Sequence, residues 1–397
     1  MRSEWRLSTI NEICSLVTDG AHNSPKSVIN GAYMASVKDF TEYGLDFSSC
    51  RMISEEDYEK LRLQGCVPEF NDILVGKDGA RYFEDIIIYK QPEKPALLSS
   101  IAILRTDRKK VIPEFLYYTL KSPSVRKDVR DNYGSGSAIP RIVLKDFKRM
   151  PIAFPPIDEQ KKLVSIFVSI DEQIQNNNKI NNNLEQQMQA LYKAWFVDFV
   201  PFNGIKPTNW INTDIYSIAN IIYGAPFASK LFNTDGIGKP IIRIRDLKDQ
   251  DFVTFTTEEH PKGHLIHPGD IVVGMDGEFR PYIWGNEKAW LNQRVCIFDN
   301  KRPKGKAFLF YTINPLLNMI EQTQVATTVI HIGKKDFDAF EILLPSEDVL
   351  NQFDEITTPM VEQIVNNRLE NKRLSNLRDA LLPKLMSGEL DVSDIDI

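Results

Sequence analysis

Residues capable of catalysis occur throughout this chain, but their spacing does not form a catalytic motif. An adenine methyltransferase requires an Asp/Asn-Pro-Pro-aromatic site, and Phe154-Pro155-Pro156-Ile157 lacks both the polar first residue and the aromatic last one. The sequence has no Gly-x-x-x-x-Gly-Lys-[Ser/Thr] phosphate loop, and Gly236-Ile237-Gly238 lacks the third glycine of a dinucleotide-binding turn. We therefore expect a protein that is not itself an enzyme.

A group of three histidines is the strongest candidate for a metal site. His260, His264 and His267 lie close together just before a predicted strand, whereas the matching stretch of the first half, residues 62–72, contains no histidine. A structural metal site usually has four ligands. We therefore predict no metal site and no cofactor bound by this chain.

The cysteines and the hydropathy pattern indicate the cellular compartment. The cysteines are far apart and form no Cys-x-x-Cys pair, as expected for reduced core residues rather than for a disulfide framework or a zinc site. No apolar run approaches the roughly 20 residues of a membrane span, and the first residues lack the apolar segment of a signal peptide. These features predict a cytoplasmic protein that does not contact a membrane.

Basic residues on predicted turns could contact nucleic acid. The sequence Val-Gly-Lys-Asp-Gly at 75–79 and its counterpart Val-Gly-Met-Asp-Gly at 273–277 each follow a predicted strand. Lys77, Arg81 and Arg280 lie at or beside these turns, and such side chains can reach phosphates or guanine edges. The alternative is ordinary solvated charge on a turn.

Loops of small and hydroxyl residues offer a second type of contact. Residues 134–142 and their counterpart at 326–332 are of this kind, and small residues allow a backbone to approach a phosphate closely. A simple hinge is equally compatible with these loops. His22, beside Asn23 and Ser24, could donate to a phosphate or a base, or it could belong to a capped turn.

The elements that carry these residues are duplicated along the chain. Shifted by 190 positions, residues 137–196 align without a gap on residues 327–386. Upstream the match continues with changing offsets, and Trp5 meets Trp210. Each half thus combines a variable region with a rigidly spaced one, as expected of a chain that contacts two different things at a set distance.

The rigidly spaced part of the first half predicts one long helix. Proline and carboxylates at 155–159 suit a helix start, and Pro201 with Gly204 suits a stop. A helix over 157–197 would be about 60 Å long. Its core residues step by four and three, which is the pattern of a coiled-coil seam. The predicted seam residues are Leu163, Phe167, Ile170, Ile174, Asn177, Asn181, Leu184, Met188, Leu191 and Trp195.

The second copy repeats this seam with two differences. Pro359 predicts a kink or the true start of the helix. At the position of Arg378, the neighbouring Leu377 is the better core candidate. The predicted seam and partner interface continue through Ile364, Asn367, Asn371, Leu374, Leu381 and Leu385.

Both copies place two asparagines in the middle of the seam. If the helices pair antiparallel, Asn177 and Asn181 meet Asn367 and Asn371 near the centre. Buried asparagines weaken a coiled coil but fix its register. The alternative is an asparagine-rich surface that follows an imperfect seam.

The variable regions predict two similar domains of mixed secondary structure. Their short alternating apolar runs, broken by Gly, Pro and Asn, indicate strands with helices between some of them. The expected fold class is α+β: two similar α+β domains separated by two long antiparallel coiled-coil helices, in a pseudo-circular repeat. The expected boundaries are 1–155 for the first domain, 156–200 for the first helix, 201–345 for the second domain, and 346–397 for the second helix with an acidic tail.

The net charge of −6 argues against a protein that grips DNA by itself. The acidic excess lies in residues 151–200 and 346–397, whereas the two variable regions are neutral to slightly basic. Either the chain does not bind DNA, or a partner supplies much of the positive charge.

The chain resembles the specificity subunits of type I restriction–modification systems over nearly its whole length. The second half departs from the pattern, because Tyr223-Gly224-Ala225-Pro226-Phe227 stands where the first half has Asp-Gly-Ala-His-Asn-Ser-Pro. The order in which the matching motifs occur along the chain, together with the pseudo-circular repeat of domains and helices, strengthens the resemblance. The motifs that carry it are Asp19–Pro25, Gly136–Ile142, Phe154–Leu163, Ala190–Phe202 and Leu377–Leu390.

This resemblance implies a non-catalytic subunit whose two α+β domains each recognise one half of a split sequence in double-stranded DNA. The helices would form an antiparallel spacer and dock two methyltransferase subunits, which carry S-adenosylmethionine and modify adenine. A motor-nuclease subunit joins in assemblies that also cleave DNA. Methyltransferases that help to enclose the duplex would account for the missing positive charge.

The residues predicted to contact DNA are polar and basic side chains on loops, which we expect in the major groove, where base edges are distinguishable. They are His22, Asn23, Ser24, Lys38, Lys77, Arg81, Ser137 and Arg141 in the first half, and Arg243, Arg245, Arg280, Arg294, Thr328 and His331 in the second.

Two other functions remain open at this point. One is a coiled-coil scaffold that holds two protein ligands at a fixed distance, and the other is a divergent nuclease. Salt-dependent binding to a specific split duplex would separate recognition of DNA from a scaffold. Cleavage of DNA by the purified chain with a metal ion would support the nuclease.

Overall fold

The computed structural model describes residues 5–79, 81–134, 140–323 and 331–390. The chain divides into two compact units. The first comprises Met1–Asp171 with Asn376–Ile397, and the second comprises Glu172–Ser375. Each unit is a mixture of helix and sheet, so the predicted fold class is confirmed.

Among its described residues, the first unit has nine strands and five short α-helices before the first long helix. Ser54 caps one helix by accepting a hydrogen bond from the Asp57 backbone, and prolines begin two others, where a missing N–H costs nothing. The strands are β1 (Arg6–Thr9), β2 (Cys14–Asp19), β3 (Ala32–Ala35), β4 (Arg51–Ile53), β5 (Ile73–Gly76), β6 (Ile86–Ile88), β7 (Ala96–Leu97), β8 (Ile101–Thr106) and β9 (Pro151–Phe154). The helices are α1 (Ile10–Ile13), α2 (Glu55–Leu63), α3 (Pro113–Lys121), α4 (Pro123–Asn132) and α5 (Leu144–Arg149).

The first long helix, α6 (Ile157–Phe196), has 40 residues and contributes to both units. Its first turn carries Asp158 and Glu159, which the helix dipole favours there. Beyond its end, Phe199 and Asn203 adopt left-handed backbone conformations and end the helical path.

In the described part of the chain, the second unit has a related order of elements, with two more strands than the first and with one helix in place of α3 and α4. Its strands are β10 (Ile211–Asp214), β11 (Ala219–Tyr223), β12 (Phe232–Asn233), β13 (Lys239–Ile242), β14 (Phe255–Thr256), β15 (Leu265–Ile266), β16 (Ile271–Gly274), β17 (Pro281–Ile283), β18 (Ala289–Leu291), β19 (Val295–Asn300) and β20 (Glu341–Leu344). Its helices are α7 (Lys306–Thr323), α8 (Lys334–Asp338) and α9 (Glu347–Met386), of which α9 also continues into the first unit.

The two units share one sheet topology. A four-stranded antiparallel sheet has the order β2-β8-β5-β6 in the first unit and β11-β19-β16-β17 in the second. A second sheet, of three strands in the first unit and five in the second, contains one parallel pair, β3 with β7 or β13 with β18. Registers also correspond, because Val75 pairs with Ala102 and Val273 pairs with Cys296.

Each unit packs its main sheet against its share of the long helices. In the first unit, Leu163 and Phe167 of α6 share a core cluster with Leu382 and Leu385 of α9. In the second, Met188 and Phe196 of α6 share a cluster with Phe353 and Ile364 of α9. The early part of one helix thus meets the late part of the other, and in each unit they run antiparallel.

The structure places every predicted seam residue in a buried or half-buried position. Their role as a docking surface for partners stays a prediction. The buried ones are Leu163, Phe167, Ile170, Ile174, Asn177, Asn181, Met188, Ile364, Asn367 and Leu385. The half-buried ones are Leu184, Leu191, Trp195, Asn371, Leu374 and Leu381.

Pro359 does not mark the start of the second helix, and Leu377 is not the core residue at the seam slip. α9 runs without interruption through Pro359. Pro359 itself is exposed, whereas the nearby residues Phe353, Thr357 and Val361 are buried. On the solvent side, water can hydrate the carbonyl that the proline leaves unbonded, and the buried residues hold the helix together.

At the seam slip, Arg378 and not Leu377 faces inward. Leu377 is 49% exposed, whereas Arg378 places its guanidinium 2.7 Å from the buried carboxylate of Asp171. An ion pair therefore takes the place where the sequence pattern favours an apolar residue.

Candidate nucleic-acid interface

Each unit has a cluster of polar loops at the same end of its main sheet. We define the first tip as Asp19, His22, Lys77, Asp78 and Arg141, and the second tip as Tyr223, Met275, Asp276, Arg294 and His331. Both tips form where β2 or β11 ends, where the tight turn after β5 or β16 begins, and where the chain returns after α4 or α7.

The two tips share a pattern of backbone hydrogen bonds. In the first, Lys77 N–H donates to the Ser100 carbonyl and Ile142 N–H donates to the Lys77 carbonyl. In the second, Met275 N–H donates to the Arg294 carbonyl and Ile332 N–H donates to the Met275 carbonyl. These matched hydrogen bonds assign Lys77 to the place of Met275, and Ser100 to that of Arg294.

A close approach of the backbone fixes one glycine in each tip. A Cβ atom on Gly20 would lie 2.2 Å from the Leu97 carbonyl oxygen, and one on Gly224 would lie 1.9 Å from the Asn292 carbonyl oxygen. No side chain fits at such distances. The Tyr-Gly-Ala-Pro-Phe segment is therefore the true counterpart of Asp-Gly-Ala-His-Asn-Ser-Pro, although only Gly-Ala is shared.

The first tip contains a buried ion pair. The Lys77 ammonium lies 3.3 Å from the Asp19 carboxylate, and both side chains are less than one-tenth exposed. His22 is three-quarters exposed, and its Nε2 lies 3.2 Å from the same carboxylate. Asp19 therefore connects the turn of Lys77 to the loop of His22. Because the Lys77 ammonium is buried and paired with Asp19, we expect it to orient this loop rather than to contact a ligand.

Arg141 completes the first tip from a third segment. It forms an isolated antiparallel bridge with Asp78 and is exposed. The structure thus brings His22, Lys77 and Arg141 together, although they are far apart in the sequence.

The second tip has an exposed charged cluster instead. The Nδ1 atom of His331 lies 2.5 Å from Oδ1 of Asp276, and its Nε2 lies 2.7 Å from Nη1 of Arg294. These three side chains are one-third to one-half exposed. The structure thus joins the predicted residues Arg294 and His331 through a carboxylate that the sequence analysis did not select.

Tyr223 replaces Asp19 and keeps its position free of charge. Burial raises the pKa of Tyr223 to about 12, and the nearby Cys296 and Asp338 add to the shift. Its ring stacks on that of Phe337 at 6.4 Å. The phenol is therefore neutral at physiological pH, and the buried Met275 opposite needs no counter-ion.

The remaining predicted contacts of the first unit lie on exposed loops around its tip. Asn23 and Lys38 are exposed. Ser24 accepts a hydrogen bond from Arg51 at 2.7 Å. Arg81 is 71% exposed and pairs with Asp85 at 2.7 Å, an ion pair that raises the arginine pKa. Ser137 lies outside the described residues.

The other arginines predicted in the second unit have partners already. Arg280 binds Glu321 and Asn318, and its hydrogen bond lowers the pKa of the Glu321 carboxyl. Arg243 donates to the hydroxyl of Thr254 at 2.6 Å. Arg245, at 62% exposure, lies 3.5 Å from an oxygen of Asp246. Thr328 lies outside the described residues.

The three histidines of the candidate metal group, His260, His264 and His267, do not form a metal site. His260 packs its ring on Phe227, whereas the His267 backbone donates to Asp270. Among the residues that the structure describes, no group of three or more His, Cys, Asp or Glu side chains could hold a metal ion. Nor does any helix in that part of the chain combine the length and apolarity needed to cross a membrane.

The asparagines of the long helices meet within the second unit. Asn177 donates to Asn371 at 2.9 Å, and Asn367 donates to Asn181 at 2.8 Å. Asn371 in turn donates to Asn178 at 2.8 Å. These contacts are those of an antiparallel helix pair in a single register. That the asparagines fix this register stays a prediction.

Sequence reasoning missed the carboxylates that orient the candidate contacts. Asp19, Asp78 and Asp276 are all visible in the motifs, and the last two occupy equivalent places in the aligned turns. The available signal was the aspartate that recurs in both turns, as Asp78 after Lys77 and as Asp276 after Met275. The partner of each aspartate comes from a distant segment, which a linear pattern does not reveal.

Comparison with known proteins gives consistent matches. A family model described as the type I restriction modification DNA specificity domain matches residues 2–186 and 207–377. The MjaIX type I restriction enzyme specificity subunit of Methanocaldococcus jannaschii is 26% identical over 306 residues, which cover 72% of this chain and 71% of that protein. The HindI specificity subunit of Haemophilus influenzae is 22% identical over 357 residues, which cover 70% and 78%.

A solved structure shares the fold. The crystal structure of the type I restriction-modification system S subunit from M. genitalium aligns with a TM-score of 0.55 at 15% identity, over 97% of this chain and 96% of that one. At this identity the likeness concerns the fold alone.

Proposed function

Because the chain belongs to the type I restriction modification DNA specificity family, we propose that it recognises a split DNA target, one half with each tip. The long helices hold the two recognition domains, and the sequence between the half-sites is unspecified. The chain itself performs neither methylation nor cleavage.

The observation that carries this proposal is the pair of tips. They share a backbone hydrogen-bond pattern, a glycine and the aspartate of the turn (Asp78 and Asp276), yet the side chains around that aspartate differ: Asp19 against Tyr223, Lys77 against Met275, and Arg141 against His331. Sequence is read by hydrogen bonds and apolar contacts to base edges. Two domains that share a backbone framework but carry different polar side chains are suited to recognise two different half-sites.

The chemistry is supplied by partners in this proposal. Two methyltransferase subunits dock on the long helices, bind S-adenosylmethionine and modify adenine, and a motor-nuclease subunit joins where cleavage occurs. The chain binds no cofactor and acts in the cytoplasm. The net charge of −6 supports such an assembly, because a subunit that bound DNA alone would be more basic.

Methylation mapping tests the proposal. The chain is produced with the methyltransferase encoded beside it in a host without DNA methylation, and N6-methyladenine is located across the genome. We expect a motif of two short defined halves with a gap of fixed length. The methyltransferase produced alone is the control and should give no such motif.

Two results would contradict the proposal. A continuous motif would mean that the two tips do not read separate half-sites. Absence of methylation, with the methyltransferase bound and active on another specificity subunit, would favour a scaffold for proteins. A further check is binding to the split duplex, which should weaken steeply as salt rises because phosphate contacts release counter-ions.

A further inference from the structure

We propose that Arg294 is the residue with which the second tip selects a guanine, and that Asp276 and His331 are positioning residues for it. The inference rests on the proposed function, since it concerns one base pair of the second half-site. It goes beyond that function because it assigns one contact to one residue of the cluster.

The backbone at Arg294 is in an unusual conformation. Its φ of 71° lies in the left-handed region, which is unfavourable for a residue with a side chain but not for glycine. Ser100, at the equivalent place of the first unit, has no such conformation. Strain of this kind persists where the surrounding structure enforces it, and it concentrates at binding sites.

Neighbouring hydrogen bonds hold that strained position firmly. The Arg294 carbonyl accepts from Met275 N–H at 2.8 Å, and the next residue, Val295, pairs with Gly274 in the sheet. The start of the arginine side chain is therefore fixed relative to the turn that carries Asp276. Glycine or asparagine would occupy this backbone with less strain, so we attribute the arginine to its side chain.

The side chain is oriented by a relay of two residues. His331 lies with Nδ1 at 2.5 Å from Asp276, a distance that requires the Nδ1 hydrogen to be donated to the carboxylate. Arg294 Nη1 lies 2.7 Å from Nε2 and 2.8 Å from Nδ1, and of these two ring nitrogens only Nε2 is left to accept its hydrogen. Asp276 also lies 3.8 Å from Nε of the arginine and favours its charge.

One edge of the guanidinium stays open for a ligand. Within the described part of the chain, Nη2 of Arg294 has no hydrogen-bond partner, and the side chain is half exposed. By contrast, Arg280 already binds a carboxylate and an amide. A guanidinium held from one side presents its remaining N–H donors as a fork, and this fork matches O6 and N7 of guanine in the major groove.

Substitution of Arg294 tests the proposal, with the split motif mapped as above. Arg294→Asn tolerates the left-handed backbone, so the fold should be kept or stabilised, which thermal unfolding of the purified complex checks. We expect the preference for one G·C pair of one half-site to fall about tenfold to a hundredfold. The other half-site and the gap should be unchanged.

Three further variants distinguish a base contact made by the Arg294 side chain from an effect of its charge and from an effect of its orientation. Arg294→Lys keeps the charge but loses the fork, so the same base pair should lose most of its preference. Asp276→Asn should reduce that preference less, about threefold to tenfold, because it removes only the orientation of the relay. Lys288→Ala, an exposed lysine before β18 at the end away from Arg294, is the control and should change neither half-site.

A modified base gives a second readout that a purely structural role would not affect. Replacement of the selected guanine by 7-deazaguanine removes N7, and binding of the unaltered complex should weaken about tenfold. The Arg294→Asn complex should bind both duplexes equally.

The outcomes distinguish this inference from the proposed function. If the unaltered chain gives no split motif, the proposed function fails. If it gives a split motif that Arg294→Asn leaves intact, or one that relaxes only at A·T pairs, the assignment of Arg294 to a guanine is overturned.

Discussion

The first tip is locked by a buried ion pair, and the second carries its charges at the surface. Asp19 and Lys77 neutralise each other inside the first tip, where the second has Tyr223 and the buried Met275. The backbone hydrogen bonds around both are matched. The difference shows that the frame is kept by main-chain hydrogen bonds and a glycine, so that the polar side chains can change without loss of the fold.

The long helices show the same kind of difference. In the first unit, Asp171 of α6 and Arg378 of α9 form an ion pair, and Tyr118 donates to the other carboxylate oxygen at 2.6 Å. The repeat places Val361 and Met188 at the equivalent points of the second unit, and both are buried. A buried pair costs desolvation that apolar residues avoid, so the two halves of the spacer achieve similar packing by different chemistry.

The glycines of the tips should show the largest effect and test the shared frame. Gly20→Ala and Gly224→Ala place a methyl carbon 2.2 Å and 1.9 Å from a backbone carbonyl oxygen, far inside van der Waals contact. We expect each to lower the free energy of unfolding of its own unit by about 4 kcal/mol or more. Hydrogen exchange of β8 and β19 measures the local loss.

Gly236→Ala is the matched control. It also lies in the second unit, but nothing lies within 4 Å of an added Cβ, and only its left-handed backbone opposes alanine. It should cost about 1 kcal/mol. If one tip glycine tolerated alanine as well as Gly236 does, the two tips would not share a frame.

Exchange of the buried pair tests the difference between the tips. Asp19→Tyr leaves the Lys77 ammonium with only Asp78 at 3.9 Å, and we expect a loss of about 3 kcal/mol in the unfolding free energy of the first unit. The double variant Asp19→Tyr with Lys77→Met copies the second tip and should recover most of it. The double-mutant cycle is measured by denaturant unfolding.

The same double variant should alter methylation of the first half-site only. A double variant as unstable as the single one would show that the frames cannot exchange their side chains. Altered methylation of both half-sites would show that the tips are not independent.

A matching exchange in the spacer should have the smallest effect. Arg378 keeps Asp379 at 3.1 Å when Asp171 is removed, so Asp171→Val should cost about 2 kcal/mol. Asp171→Val with Arg378→Met, which copies Val361 and Met188, should return to within about 1 kcal/mol of the unaltered chain. If the double variant were as unstable as Asp171→Val alone, the ion pair itself would be required for the stability of this unit.

Much of the fold was predictable because it depends on local patterns. The step of four and three defines α6 to within a residue of its observed end at Phe196, and alternating apolar runs mark β5 and β8. Pro359 does not begin α9, because packing on the buried side of the helix outweighs the local cost of the proline. Arg378 was misjudged because its partner, Asp171, lies on another helix.

The candidate site was predictable only in part. Lys77, Arg294 and His331 were selected from turns and loops, where binding residues concentrate. That Lys77 is buried and His331 bridges Asp276 to Arg294 depends on which segments meet. The domain boundaries and the DNA contacts remain predictions.

The sequence by itself determined the duplication, the long seams with their asparagines, and the Gly-Ala step that both tips share, because each is a periodic or local constraint on the backbone. Only the tertiary structure decided which charges meet. Asp19 finds Lys77, Asp171 finds Arg378, and Asp276 finds His331, over separations that the sequence order does not encode. The energy of a charge depends on its neighbours in space and on its burial, and both arise only when the sheets and helices have packed.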